Sequence, residues 1–135
     1  MTTAHDPVSI VYALDEACNA HDLAAVMVLF AKEAVVRQTP APDGVGVYRG
    51  KEQIRSWLEW QLPGFHVDSR DHQASGDTVH WSAAVTNDML RQLGLNQPTM
   101  DHNEAVVRGG KIVSFTVTSQ ALIARADVNV QREPA

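Results

Sequence analysis

Apart from a strand-like stretch at Ala34 to Thr39, the spacing of apolar residues is helical before Pro63-Gly64 and strand-like throughout after it, and that division leaves few architectures open. Before it, apolar side chains recur every three or four positions, the signature of one buried helix face. After it they alternate, the signature of strands with one face in a core. Helices collected at the front and strands behind predict an α+β domain, with helices covering one face of a sheet.

The front half divides into three helices. Asp6-Pro7 is a start signal, a capping residue followed by Pro at the first helical position, where its missing N–H costs nothing. Val8, Val11, Leu14 and Cys18 then form one stripe. Asn19-Ala20-His21-Asp22 breaks that helix and caps a second, with Leu23, Val26, Met27 and Phe30 on one face. Ala34 to Thr39 reads as a strand, Pro40 to Gly46 with Asp43-Gly44 as a turn, and Val47 to Arg49 as a short extended piece. A third helix follows over residues 51–62, with Ile54, Trp57, Leu58, Gln61 and Leu62 on one side.

Beyond Gly64 the expected strands are 65–74, 78–89, 99–108 and 111–122. The last two form a hairpin around Gly109-Gly110, and 90–98 is a longer connection. On the second strand Val79, Trp81, Ala83 and Val85 face inward. On the third Asp101, Asn103, Ala105 and Val107 do, and on the fourth Val113, Phe115, Val117 and Ser119. The tail from Ile123 has no clear period.

Composition bounds the rest. One domain is expected over 1–135, with its core about 7–122 and a tail at 123–135, since 135 residues suit a single core. Eleven basic against 16 acidic residues, with no basic cluster, disfavour nucleic acid and membrane as partners. The apolar run Leu23–Ala31 is far shorter than the ~20 residues a spanning helix needs. Met1 to Asp6 lacks the basic and apolar regions of a signal peptide, and Cys18 alone cannot form an intrachain disulfide, so the expectation is a cytoplasmic protein.

Four segments in order carry a family likeness: Asn19-Ala20-His21-Asp22-Leu23; Phe30-Ala31-Lys32-Glu33-Ala34-Val35-Val36; Tyr48-Arg49-Gly50-Lys51-Glu52-Gln53-Ile54; and Gly109-Gly110-Lys111-Ile112-Val113. In these the chain resembles the SnoaL-like polyketide cyclase and ketosteroid isomerase branch of the nuclear transport factor 2-like superfamily. The resemblance implies a cone-shaped, curved antiparallel sheet whose mouth is closed by the three helices, with a pocket between them. It does not imply one activity, because the superfamily holds isomerases, cyclases, epoxide hydrolases, dehydratases and non-catalytic binders.

Matched position by position, the isomerase base falls at Gln38 and the isomerase tyrosine at Leu14. The second oxyanion donor falls at or near Asn103. An amide can donate a hydrogen bond to a carbonyl, but Gln38 cannot remove a proton. The segment Asp127 to Pro134 also resembles isomerase C-termini.

The candidate site is therefore an apolar pocket with few polar groups, as small-molecule sites are. Asp101 is the leading acid–base candidate, because apolar walls would raise its pKa toward neutrality; the plainer alternative places it near solvent at a strand start. His72 is a second candidate base, provided a bulge near Asp71 swings it off the polar face it shares with His66, Asp68 and Arg70. Asn103, Asn87 and Gln38 would orient a carbonyl or hydroxyl, with Ser119 nearby. Trp57 and Trp81 would stack on a flat ligand, and Leu14, Val85, Phe115 and Val117 would supply apolar wall.

No spacing suggests a metal site, and no cofactor is expected. The outward residues His80, Ser82, Ala84, Thr86, Ser114, Thr116 and Thr118 are small or uncharged for a solvated sheet face. That pattern points to a homodimer through this face. The expectation is a pocket protein for a small apolar carbonyl, hydroxyl or epoxide compound. It would work by cofactor-free isomerisation, cyclisation, dehydration or epoxide opening, with non-catalytic ligand binding or assembly as the alternative.

Overall fold

A computed structural model describes residues 6–41 and 44–119. His5, the Pro42-Asp43 portion of the expected turn, the strand end at 120–122 and the tail lie outside the described residues. Helix α1 spans Pro7–Asn19 and α2 spans Leu23–Leu29, followed by strands β1 (Phe30–Thr39) and β2 (Val47–Arg49). Helix α3 spans Gly50–Gln61. The remainder is β3 (His66–Ser75), β4 (Thr78–Thr86), a short α4 (Asp88–Gln92), β5 (Thr99–Arg108) and β6 (Lys111–Ser119).

The six strands form one sheet in the order β2-β1-β6-β5-β4-β3, curved and unclosed, with the helices on one face. Every neighbouring pair is antiparallel except β1 with β6, which runs parallel. The purely antiparallel expectation is corrected there. β1 enters from the helical half of the chain and lies beside the last described strand, which requires no hairpin between them. Helix α1 packs on β3 to β5 and α3 on β1 and β2, so a gap opens between the two helices above the sheet.

Hydrogen bonds explain key residues in three of the four family-like segments. Asn19 donates from Nδ2 to the Val67 carbonyl (3.0 Å) and accepts at Oδ1 from Val67 N (2.8 Å). β3 is an edge strand, so this one amide pairs with backbone groups that the sheet leaves open and pins the end of α1 to that edge. Asp22 caps α2 by accepting from Ala25 N at 3.1 Å. Lys51 and Lys111, from two separate segments, donate to the carbonyls of Met27 and Val28, each at 2.6 Å. They meet the negative end of α2, where cations are favoured.

Boundaries differ from the sequence reading at three places. Phe30 begins β1 rather than ending α2, and its ring is buried. β4 stops at Thr86, and Asn87 caps α4 by accepting from Leu90 N (2.8 Å). A register shift between Val106 and Val107 in the β5–β6 hairpin turns Ile112 inward and leaves Val113 only half-buried. Gly109 and Gly110 both have positive φ (58° and 75°), as the tight hairpin turn expected there demands.

Gly64, which ends the segment after α3, sits at φ +68°, and a Cβ there would collide with the Asp88 carboxylate and the Arg91 guanidinium. Those two groups form an ion pair at 2.7 Å, and Arg91 also donates to the Gly64 carbonyl. Gly64→Ala should therefore destabilise the fold by about 1–2 kcal/mol, read as a lower urea midpoint with an unchanged slope.

Candidate functional site

A cavity of about 60 Å³ lies between α1, α3 and the sheet. Helix α1 contributes Leu14, Asp15 and Cys18; α3 and the turn after it contribute Trp57, Leu58, Gln61, Leu62 and Phe65. The sheet contributes Phe30, Gln38, Val67, Val85, Asp101, Asn103, Phe115 and Val117. The wall is mostly apolar, and the polar groups are two carboxylates, three amides and one thiol.

Asp101 stands on the inward face of β5, opposite Ala83 of β4 and Ser119 of β6. It is 9% exposed, and its Oδ1 is buried without a hydrogen-bond partner. Burial among apolar groups raises its pKa from 3.8 to about 7, against the opposing influence of a hydrogen bond with Ser119. Asp101 can therefore hold or release a proton near neutral pH. The solvent-facing alternative for this residue is excluded.

Gln38 belongs to a one-way chain of amides. Trp57 Nε1 donates to Gln38 Oε1 at 3.1 Å, and Gln61 Nε2 donates to the same oxygen at 3.3 Å. Gln61 in turn accepts from Asn87 Nδ2, at Oε1 (3.2 Å) and at its backbone carbonyl (3.0 Å). The indole N–H can only donate, so it fixes the Gln38 amide with oxygen toward Trp57. With its oxygen turned to these donors, Gln38 presents Nε2 as a donor on the cavity wall. Trp81 Nε1 lies 3.3 Å from the Asn103 amide and can only donate, which assigns the amide oxygen to that side and the nitrogen to the His102 carbonyl, also 3.3 Å away.

The bulge near Asp71 is present. Asp71 has φ 61°, the β3–β4 register shifts between Arg70 and Gln73, and His72 leaves the polar face of His66, Asp68 and Arg70. Its ring stacks on Trp81 (5.9 Å, 12°) and meets Tyr12 (4.8 Å, 59°). Trp81 stacks in turn on Phe115 (5.9 Å, 15°), which meets Trp57 edge-on (6.3 Å, 67°). This aromatic row crosses the sheet beneath the helices and stiffens the cavity floor.

Of the residues singled out from sequence, Leu14, Gln38, Trp57, Val85, Asp101, Asn103, Phe115 and Val117 line the cavity together. Asn87 does not: it is fully buried and spends its side chain on capping α4 and holding Gln61. Trp81, Ser119 and His72 are not on the wall; Trp81 is the cross-strand neighbour of Asn103, and Ser119 that of Asp101.

Asp15 was missed by the sequence reading, although its signal is visible. Val8, Val11, Asp15 and Cys18 follow helical spacing, so a carboxylate sits within an apolar stripe. Burial raises its pKa, while Ser69 and the charge of His72 pull it down. Cys18 is also on the wall, but burial first and then the charge of Asp15 push its thiol up to about 12. The neutral thiol is a poor nucleophile. Among the described residues no three His, Cys, Asp or Glu side chains converge as a metal site would need, and no helix is long and apolar enough to cross a membrane.

A protein-family model for the SnoaL-like domain matches residues 11–122. Among solved structures, an NTF2-like protein of unknown function from Cytophaga hutchinsonii superposes with a TM-score of 0.72 at 14% identity, covering 93% of this chain and 99% of that one. A candidate polyketide cyclase from Sinorhizobium meliloti gives 0.68 at 19% identity (86% and 99% covered). A candidate ketosteroid isomerase from Kribbella flavida gives 0.68 at 11% (84% and 76%). Such identities establish a shared fold. Comparison with curated proteins finds no match.

The raised pKa of Asp101 links pH to stability. A carboxyl whose folded pKa lies above its unfolded value favours the fold fully below about pH 4, and that contribution is lost as pH rises through about 7. The rise from 3.8 to about 7 corresponds to on the order of 4 kcal/mol. Asp101→Asn should remove this dependence and be more stable than wild type above pH 7, as urea unfolding at pH 4, 6 and 8 would measure.

Proposed function

The chain belongs to the SnoaL-like family, and we propose that its cavity is a cofactor-free acid–base site for a compact, mostly apolar carbonyl, hydroxyl or epoxide compound. The supporting observation is Asp101, a carboxyl enclosed by apolar groups, with a pKa near 7 and an oxygen without a partner at the cavity. A group with that pKa moves protons efficiently at neutral pH. Gln38 and Asn103, each oriented by an indole N–H, would hold the substrate oxygen.

Non-catalytic ligand binding is the second reading, favoured by Gln38 and Leu14 where isomerases carry their base and tyrosine. Asp101→Asn separates the two. On a panel of small ketones, β-hydroxyketones and epoxides, kcat/KM should fall by about 100-fold or more while ligand affinity changes little. A wild type that binds panel members without turning any over would support the binding reading instead.

We also propose that a second copy of this chain covers the outer face of the sheet. Ser82, Ala84 and Thr86 of β4 and Ser114, Thr116 and Thr118 of β6 are half-buried already, and Met100 between them is 41% exposed. Sedimentation at micromolar concentration should give a dimer, and Thr116→Lys should shift it toward monomer with the fold intact.

A further inference from the structure

Among the described residues, three buried side-chain polar atoms lack a hydrogen-bond partner: Asp101 Oδ1, Ser69 Oγ and His72 Nε2. Buried polar groups are nearly always paired, so a cluster of exceptions marks a place with another purpose. Asp101 belongs to the site already described. The other two both lie beside Asp15, the second carboxylate on the cavity wall.

Sheet register brings these groups into one row. Ser69 is opposite Ala83, Ala83 opposite Asp101, and Asp101 opposite Ser119. Ser69 and Asp101 therefore stand two strands apart, about 9–10 Å, with only the Ala83 methyl between them. Asp15 reaches the Ser69 end from α1. The Asp71 bulge turns His72 to the same end, half-buried against the exposed Tyr12 ring.

The two ends are electrostatically different. Asp15 faces Ser69 and His72 from β3, with Cys18 and Tyr12 on its own helix; β4 offers it no ionisable group, and β5 offers only Asp101. Burial raises both carboxyls; at Asp15 the nearby Ser69 hydroxyl, which makes no well-formed hydrogen bond, and the charge of His72 oppose it, whereas at Asp101 only Ser119 does. Two carboxyls with different neighbours on the wall of one cavity can serve as base and acid to the same substrate.

We propose that Asp15, backed by Ser69 and His72, is a second proton-transfer group of this cavity, and that the substrate is a compact β-hydroxy carbonyl compound that loses water. This deepens the acid–base reading above and rests on it. A single carboxyl can shuttle one proton between neighbouring atoms, but removal of water requires a proton taken at one carbon and another given at an oxygen. The Asp15 carboxylate takes the proton α to the carbonyl, and the electron pair of that C–H bond forms the new C=C bond. The β C–O bond breaks, and its oxygen leaves as water with the proton of the Asp101 carboxyl. Asp15 then returns its proton to solvent through His72, and Asp101 regains one from water, so nothing is oxidised or reduced.

The test uses the full chain with 3-hydroxycyclohexanone as probe, following the conjugated enone by ultraviolet absorbance. Asp15→Asn should lower kcat/KM about 100-fold or more, comparably to Asp101→Asn. His72→Gln should lower kcat with KM unchanged, and formate should partly restore Asp15→Gly. If Asp15→Asn matches wild type while Asp101→Asn is inactive, the second proton group falls and the acid–base reading stands. If wild type leaves every compound of the panel unchanged, that reading fails by itself. The role of Asp15 is then decided by carbon-13 NMR titration of its carboxyl: a midpoint above the ordinary carboxylate range that moves in His72→Gln supports it, and an ordinary, unmoved midpoint overturns it.

Discussion

The register of β4, β5 and β6 is the constraint on which the cavity depends. Asp101 pairs with Ala83 and Ser119, and Asn103 with Trp81 and Val117. Side chains on a strand alternate faces, so a slip of one residue would carry Asp101 and Asn103 to the outer face and bring His102 and Glu104 into the core. That slip is opposed by everything sharing the inward face. Ala105 and Val107 share the inward face of β5 with Asp101 and Asn103, are essentially inaccessible, and would move out as well, leaving Val79 and Trp81 of β4 facing the polar residues His102 and Glu104. At 25 cal/mol per Å² of apolar area, burial of such side chains contributes about 1.5–3 kcal/mol apiece. The apolar core thus holds a carboxyl where it would not go by itself.

The polar groups in the cavity are held by donors that cannot change role. An indole N–H only donates, so Trp57 and Trp81 each fix which end of an amide faces them, at Gln38 and at Asn103. From Gln38 the order passes to Gln61 and then to Asn87, whose oxygen is tied to the first turn of α4. Asn87 is far from a contact residue, yet it sets the orientation of one that lines the wall. A chain of this kind keeps amide dipoles in place while a ligand enters, which is the condition for electrostatic stabilisation without reorganisation.

Much of this was legible in the sequence, for a definite reason. Alternation along β4 and β5 assigns faces correctly even for Asp101 and Asn103, because their apolar neighbours decide the matter. What could not be read was wherever the period breaks. The bulge that turns Ile112 in place of Val113 has no mark in composition, and neither does the parallel pairing of β1 with β6, which joins residues some eighty positions apart. Asn87 continues the alternation of β4 on paper, but the strand ends one residue earlier and the side chain becomes a helix cap. Asp15 was hidden differently. It lies next to Leu14, the position to which the isomerase comparison draws attention, and only strict helical spacing with Val11 and Cys18 places it on the buried face.

The choice of polar groups around the cavity is connected. Glutamine at position 38 gives β1 a neutral hydrogen-bond donor at the cavity, and Leu14 gives the helix wall an apolar side chain. The carboxyls on the cavity wall are Asp101 on β5 and Asp15 on α1. Neither could be accommodated beside a β1 carboxylate at low cost, since like charges sharing an apolar site cannot all ionise. An amide at position 38 and carboxyls at 15 and 101 are therefore one electrostatic solution: an apolar cavity can carry only a limited number of buried charges, and here β1 contributes a neutral group.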